Sequence, residues 1–253
     1  MTDARPEPGT QDMQDVHGPD DTDGTDGMDR ALVRLADVGG FFAVRCGGEP
    51  AGGGFRTLAA LYAGGPVLEE YVAEVGRRMG GADDRVAAST LQFGLAARMW
   101  SIGLGAYVLT GRVPDLDPDR VWWRLPDGQS VELWLPAPAA RPGAEVGGTV
   151  LAHLAGLQET LRRRYGVSPQ TLRGNSASGL VGALRELVNR LPDAGPVAAP
   201  VVTALLDDTG PLAGTGTFVY EEGLGAAFVR RSCCLYYRAP GGGLCGDCVL
   251  RTR

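Results

Sequence analysis

Four of the five cysteines lie within sixteen residues near the end of this 253-residue chain. Cys233 and Cys234 are adjacent, ten residues follow, and Cys245 and Cys248 complete the pattern C-C-x10-C-x2-C. No secretory signal is present, so this clustering indicates metal or redox chemistry before structural disulfides. The Ala-Pro-Gly-Gly-Gly stretch between the two pairs can fold sharply. We therefore expect the two pairs of thiols to converge on one site.

Three interpretations of the cysteine pattern remain open on spacing alone. A structural zinc site needs four thiolates around one ion, and adjacent cysteines suit it poorly because neighbouring side chains in a strand point to opposite faces. A [2Fe–2S] cluster divides its four thiolates between two irons, which fits adjacent cysteines better. Disulfides, or thiols without metal, are the third alternative. The lone Cys46 is interpreted as a small buried residue.

The terminal pattern, preceded by Arg230-Arg231-Ser232, resembles the iron–sulfur terminus of the ferric siderophore reductases of the FhuF type. Two upstream segments are also similar to that family: 88–101, with the apolar run after it, and 174–178 followed by a helix. The resemblance extends over roughly residues 50–250. The cysteine pattern is its specific part, and the helical part is much less specific.

The resemblance implies a [2Fe–2S] cluster held by Cys233, Cys234, Cys245 and Cys248. It also implies one-electron reduction of Fe(III) in a siderophore, often of the hydroxamate kind, in the cytoplasm. Hydroxamate oxygens are hard anionic donors that bind Fe(III) better than Fe(II), so one electron loosens such a chelate. No NAD, flavin or ATP motif is found, so a ferredoxin or a flavoprotein would donate the electron. The alternatives are an iron–sulfur accessory protein of a biosynthetic pathway and a zinc-stabilised binding module without redox activity.

Arginines and tyrosines flank the cysteines and are the candidate substrate-binding residues: Arg230, Arg231, Tyr236, Tyr237 and Arg238. Their positive charge could attract an anionic chelate or an acidic ferredoxin. The alternative for the arginines is a solvated face that offsets the charge of four thiolates. The alternative for the two tyrosines is packing over the cluster. Beyond the cluster we predict no catalytic residue.

Charge and composition exclude several function classes. The chain has a net charge of −6, but residues 1–29 carry nine acidic residues against one arginine, so the remainder is almost neutral and gives no case for nucleic-acid binding. Lysine is absent, which removes Schiff-base chemistry. The most apolar stretch, 86–111, is interrupted by Gln92 and Arg98 and is too short to span a membrane. We therefore expect a soluble cytoplasmic protein without a transmembrane segment.

Hydrophobic periodicity predicts an α+β protein that is mainly α. Two strands around Pro126-Asp127-Gly128 indicate a central hairpin near 121–135, and 136–148 is predicted to be a linker. Asn175 or Ser176 is expected to cap a helix. The predicted domains are a disordered acidic tail at 1–29, a mainly helical domain at 30–210 and a cysteine-rich module at 211–253. The predicted helices are 57–62, 67–79, 84–109, 149–165, 175–191 and 200–207, and the predicted terminal strands are 215–220 and 225–230.

Overall fold

The computed structural model describes residues 21–50 and 52–252. Helices predominate, and the strands are short, which confirms the mainly α fold class. The helices are α1 (Asp21–Leu35), α2 (Leu58–Tyr62), α3 (Pro66–Arg78), α4 (Asp84–Thr110), α5 (Val146–Tyr165), α6 (Pro169–Arg190) and α7 (Gly195–Leu206). The strands are β1 (Arg45–Cys46), β2 (Arg56–Thr57), β3 (Arg112–Pro114), β4 (Trp122–Arg124), β5 (Glu132–Leu135), β6 (Ala140–Pro142), β7 (Gly216–Glu221) and β8 (Gly225–Arg230).

Helix α1 begins before the predicted start of the folded region. The predicted disordered tail reaches residue 29; residues 1–20 lie outside the described part of the chain, whereas 21–29 are helical. Met28, Leu32 and Leu35 are buried at the i, i+4, i+7 spacing of one helix face. Leu35 packs so closely on α4 that a Cβ at Gly105 would lie 2.7 Å from its side chain. In the sequence, the many acidic residues of this region favour a prediction of disorder, so the apolar face of the helix is not apparent.

Helix α4 is the centre of the fold, as its nearly continuous apolar sequence predicts. Asp83 caps its first turn by accepting a hydrogen bond from the Val86 backbone N–H at 3.0 Å, and Gly111 ends it with a φ of 70°. It packs against α1, α3, α5 and α6. The crossing with α6 is close, because a Cβ at Gly179 would lie 2.9 Å from the Ala97 nitrogen. No helix in the described residues is long and apolar enough to cross a bilayer.

The predicted central hairpin is confirmed and belongs to a larger sheet. Strands β4 and β5 pair antiparallel within a four-stranded sheet of order β1-β5-β4-β2, in which β1 runs parallel to β5. The Trp123 ring stacks on Tyr71 of α3 with 4.9 Å between centroids, which attaches the sheet to the helices. The predicted linker at 136–148 is wrong in part, because it contains β6, which pairs with β3.

Helix α6 starts earlier than predicted. Ser168 is its N-cap and accepts a hydrogen bond from the Thr171 backbone N–H at 3.1 Å, with Pro169 at the first helical position. Asn175 and Ser176 therefore lie inside the helix, where both are fully buried, and the prediction that one of them caps it is wrong. The Ser-Pro start explains the difference, because a cap followed by proline is a stronger start signal than a serine alone.

Strands β7 and β8 confirm the two predicted terminal strands, which lead into the cysteines and pair with each other as an antiparallel hairpin. Phe228 of β8 is buried in the same apolar core as the helices, and β8 packs along α6. The last strand before the cysteine segment, residues 231–248, is thereby fixed to the main helical body.

His153 supports a prediction about pH dependence. The residue is buried in the core, with its Nε2 2.7 Å from the Tyr62 hydroxyl and its Nδ1 bonded to the Leu116 carbonyl. Burial lowers the pKa of His153 to about 4. The neutral imidazole therefore stabilises the fold above pH 6.5, and we expect about 3 kcal/mol to be lost as the pH falls from 6.5 to 4. NMR titration of the chain's two histidines, assigned with a His17→Gln variant, tests this; a His153 midpoint near 6.5 would contradict it.

Candidate metal centre

The adjacent cysteines lie in a turn after the end of β8. Leu235 adopts a φ of 71°, in the left-handed region that non-glycine residues rarely enter, and directs the chain into a 3-10 turn at Tyr236–Arg238. Cys234 is buried and Cys233 is partly exposed. Neighbouring side chains point to opposite faces only in a strand. Because Cys233 and Cys234 are not in a strand, this objection to adjacent cysteines binding at a single metal site does not apply to them.

The second pair returns to the first over a sharp glycine turn. The Gly242 nitrogen donates to the Ala239 carbonyl at 2.8 Å, and the Cys248 nitrogen donates to the Cys245 carbonyl at 3.2 Å. Glycine is required at position 242, because a Cβ there would collide with the Tyr236 carbonyl oxygen. The two pairs approach each other at Cys234 and Cys245, whose thiols lie close enough for each to shift the pKa of the other.

The local electrostatics favour a thiolate at Cys234. Interaction with Cys245 lowers the pKa of Cys234 and raises that of Cys245. Burial raises the pKa of Cys233. Backbone N–H groups point at two sulfurs: Leu235 N lies 3.3 Å from Cys233 Sγ, and Leu250 N lies 3.4 Å from Cys248 Sγ. Such hydrogen bonds stabilise negative charge on sulfur.

Arg230 differs from the surface role predicted for it. Its side chain is 1 % exposed, so it is not placed to contact a docked substrate. Its Nε donates to the Ser232 carbonyl at 2.9 Å, and its Nη2 donates to the Thr171 carbonyl at 3.2 Å. Burial lowers the pKa of Arg230, while the nearby Cys234 and Cys245 oppose that effect. The guanidinium thus supplies a buried positive charge beside the sulfurs.

Helices α4 and α6 hold the first cysteine pair through its backbone carbonyls. Ser89 Oγ donates to the Cys234 carbonyl at 2.8 Å, and Thr171 Oγ1 donates to the Cys233 carbonyl at 3.2 Å. Asn175 Nδ2 in turn lies 3.1 Å from Ser89 Oγ and 3.0 Å from the Ser89 carbonyl. The sequence analysis did not predict this role for Ser89, Thr171 or Asn175. The feature that could have indicated it is the presence of these small polar residues in helical stretches that are buried.

A close backbone contact and an ion pair complete the support of the cysteine segment. Gly174 of α6 lies against this segment so tightly that a Cβ there would collide with Ser232 Oγ. Asp247, between the second pair of cysteines, is bonded through Oδ1 to Arg185 Nη1 at 2.8 Å, and its carbonyl accepts from the Arg230 nitrogen at 3.0 Å. Both cysteine pairs are therefore held by α6.

Removing the Ser89 hydroxyl tests the importance of this support. In Ser89→Ala the buried Cys234 carbonyl loses its side-chain donor and Asn175 loses an acceptor, which costs about 1–3 kcal/mol of folding free energy. We expect a lower melting temperature and faster loss of bound metal to a chelator. Ser178→Ala is the matched control, because the buried Ser178 hydroxyl has no hydrogen-bond partner in the described residues. Equal metal loss in the two variants would contradict the role of Ser89.

The other four predicted substrate-binding residues lie at the surface around the cysteine segment. Tyr236 and Tyr237 are 41 % and 48 % exposed, and Arg231 and Arg238 are also exposed. Leu244, which precedes the second pair, is exposed as well. The structure thus places an apolar and positively charged surface beside the cysteines, and substrate contact by these residues remains a prediction.

The residues present fit an iron–sulfur cluster. Four thiols from two converging turns, two N–H···S contacts and a buried guanidinium whose Nη1 has no partner among the described residues provide ligands and compensating charge. Within 21–50 and 52–252, no three His, Cys, Asp or Glu side chains are grouped closely enough to hold a metal ion. Cys46 lies apart in β1, where burial raises its pKa to about 12.

Comparison with known proteins identifies the cysteine segment. Residues 230–250 match the family model described as the FhuF 2Fe-2S C-terminal domain. No curated protein matches the chain. The match confirms the resemblance found in the cysteine pattern and indicates a [2Fe–2S] cluster as the cofactor. It does not extend to the helices, whose resemblance to the family stays a prediction.

Proposed function

We propose that this chain is a cytoplasmic ferric-siderophore reductase that receives electrons from a ferredoxin or a flavoprotein. The observation that carries the proposal is the position of the cysteines: Cys233 and Cys245 are partly exposed beside the surface formed by Tyr236, Tyr237 and Arg238. A chelate or a donor protein docked on that surface lies next to the cluster. The Fe(III)-siderophore, of the hydroxamate class in our proposal, is the substrate and is not bound by protein ligands.

The proposed reaction transfers one electron. When bound to Cys233, Cys234, Cys245 and Cys248, a [2Fe–2S] centre accepts and gives single electrons at low potential. The donor protein is oxidised by one electron, and the chelated Fe(III) is reduced to Fe(II). Fe(II) binds hard anionic oxygens more weakly, so the metal leaves the chelate without any bond to the protein.

The chain's own contribution is positioning and charge. Exposed arginines around the cysteines, Arg231, Arg238 and Arg251, attract an anionic chelate or the acidic surface of a donor protein. Tyr236 and Tyr237 offer rings against which an organic ligand can pack. Because this attraction is between exposed charges, we expect it to weaken with added salt.

Turnover with chelated iron is the test. The anaerobically purified protein is reduced and mixed with ferric hydroxamate chelates in the presence of a dye that traps Fe(II). We expect dye-trapped Fe(II) in multiple equivalents when a donor system is supplied. A protein that holds two irons and two sulfides but reduces no chelate would instead be an iron–sulfur accessory protein. A colourless protein with one zinc would exclude the reductase and leave a binding module.

A further inference from the structure

A cavity of about 610 Å³ lies between the loop that follows α1 and the start of β5, with Arg98 of α4 in its wall. Cavities of about 300–1,000 Å³ are typical of sites for small organic ligands. Phe41, which is 50 % exposed, and Val131, which is partly exposed, both line the cavity and present apolar surface to it. The cavity thus offers a charged group and apolar contacts together.

Arg98 is a buried charge without a counter-charge. It lies within the apolar helix α4 and is 8 % exposed, although arginine is almost never buried unless it is paired. Its Nη1 donates to the Gly40 carbonyl at 2.9 Å, and its guanidinium lies 5.0 Å from the centre of the Phe41 ring. The one ionisable group in the described part of the chain that affects its pKa is Tyr71, and burial raises the pKa of Tyr71 to about 12, so this neighbour is neutral.

The second buried arginine among the described residues shows what Arg98 lacks. Asp247, Cys234 and Cys245 lie close enough to Arg230 to oppose the effect of burial on its pKa. At Arg98, burial lowers the pKa and no acidic side chain opposes it. An unpaired buried charge costs free energy, and an anion bound beside it removes part of that cost.

Arg98 also has donors left for a ligand. Within the described residues its Nε and Nη2 make no hydrogen bond, and neither atom is enclosed by protein. A guanidinium holds a carboxylate through two parallel hydrogen bonds. Glu132 is the carboxylate in the cavity lining, but it is bound to Arg124 at 2.9 Å and lies 3.4 Å from Arg45. Because Arg45 lines the cavity too, the lining carries more positive than negative charge.

We propose that this cavity binds a small organic carboxylate, with the carboxylate on Arg98 and its apolar part against Phe41 and Val131. The proposal goes beyond the proposed function and does not depend on it. The site is separate from the cysteine segment, because Arg98 follows Ser89, which donates to the Cys234 carbonyl, by about 14 Å along the axis of α4.

Benzoate is the probe for this site. Benzoate, its neutral analogue benzamide and acetate are titrated calorimetrically into the oxidised full-length holoprotein. We expect benzoate to bind about tenfold more tightly than either, because benzamide lacks the charge that pairs with Arg98 and acetate lacks the ring that packs on Phe41.

Arg98→Met separates ligand binding from support of the fold. The variant keeps a long apolar side chain and removes the guanidinium, so we expect benzoate to bind about tenfold more weakly. The melting temperature without ligand is expected to stay the same or rise, because an unpaired buried charge is removed. Arg85→Gln is the control, since it removes an exposed arginine of α4 that lies outside the cavity lining, and we expect it to leave benzoate binding unchanged.

A change at an exposed position covers the case in which Arg98→Met does not fold. Phe41→Ala removes apolar surface at the rim, and we expect it to reduce the preference for benzoate over acetate. An unchanged preference in Phe41→Ala would overturn the proposal. Equal affinity for benzoate and benzamide, no binding of benzoate, or unchanged benzoate binding in a folded Arg98→Met protein would overturn it as well. Ferric-chelate reduction, measured separately, tests the proposed function whichever of these results is obtained.

Discussion

Replacing Cys234 with serine is expected to remove the [2Fe–2S] chromophore and to reduce the iron content from about two atoms per chain to almost none. Cys234 is the buried member of the first pair, and its thiol lies beside that of Cys245 in the second pair. A serine hydroxyl at this position is a much poorer ligand for iron than a thiolate, and its own burial leaves no solvent to complete the coordination. Ferric-chelate reduction is expected to disappear with the cluster.

The matched control for Cys234→Ser is Cys46→Ser. Cys46 is a partly buried cysteine in β1, far along the chain from the cysteine segment, and its burial raises the pKa of the thiol to about 12. We expect this variant to keep the visible spectrum, the iron and the sulfide of the wild-type protein after anaerobic purification. An unchanged spectrum in Cys234→Ser would remove Cys234 from the ligand set.

The parts of the structure that can be predicted from the sequence are those encoded by local patterns. The cysteine spacing, the glycine turn between the pairs and the hairpin at Pro126-Asp127-Gly128 depend on residues that are close in the chain. The long apolar segment of α4 must be buried in any fold, so the sequence predicts both the helix and its place in the core. The strands β7 and β8 are predictable because each is a short run of strand-forming residues that begins at a glycine.

The support of the cysteine segment could not be predicted, because it is made across long stretches of chain. Ser89 and Cys234 are 145 positions apart, and Thr171 and Cys233 are 62 apart. Nothing near Ser89 in sequence distinguishes a serine that donates to a distant carbonyl from one that faces solvent. The prediction that Asn175 or Ser176 caps a helix fails for a different, local reason, because the start at Ser168 and Pro169 is the stronger signal.

Arg230 shows the same limit at the site itself. The three arginines beside the cysteines and the adjacent tyrosines suggest one charged surface, but β8 ends by directing Arg230 inward onto α6, while Arg231 turns outward. Because side chains alternate along a strand, the sequence places Arg230 and Arg231 on opposite faces. Which of the two faces is buried depends on the packing of β8 against α6. The structure therefore divides the arginines into one buried charge and an exposed group.

This division predicts that the cluster potential depends strongly on the buried arginine and weakly on an exposed one. Removing the buried charge in Arg230→Gln is expected to lower the midpoint potential by on the order of 100 mV, because a unit positive charge near the sulfurs stabilises the added electron by a few kcal/mol at an effective dielectric constant of about 20. Arg231→Gln removes an equal but exposed charge, which water and salt screen, so we expect a much smaller shift. Potentiometric titration of the visible spectrum at fixed ionic strength measures both.

Arg230→Lys separates the charge from the hydrogen bonds. Lysine keeps the positive charge but cannot reproduce the planar fork that donates to the carbonyls of Ser232 and Thr171. We expect a midpoint potential close to that of the wild-type protein and a lower melting temperature. A potential in Arg230→Lys as low as that in Arg230→Gln would mean that the retained positive charge does not set the potential. The guanidinium would then act through its hydrogen bonds, by fixing the conformation of the cysteine segment.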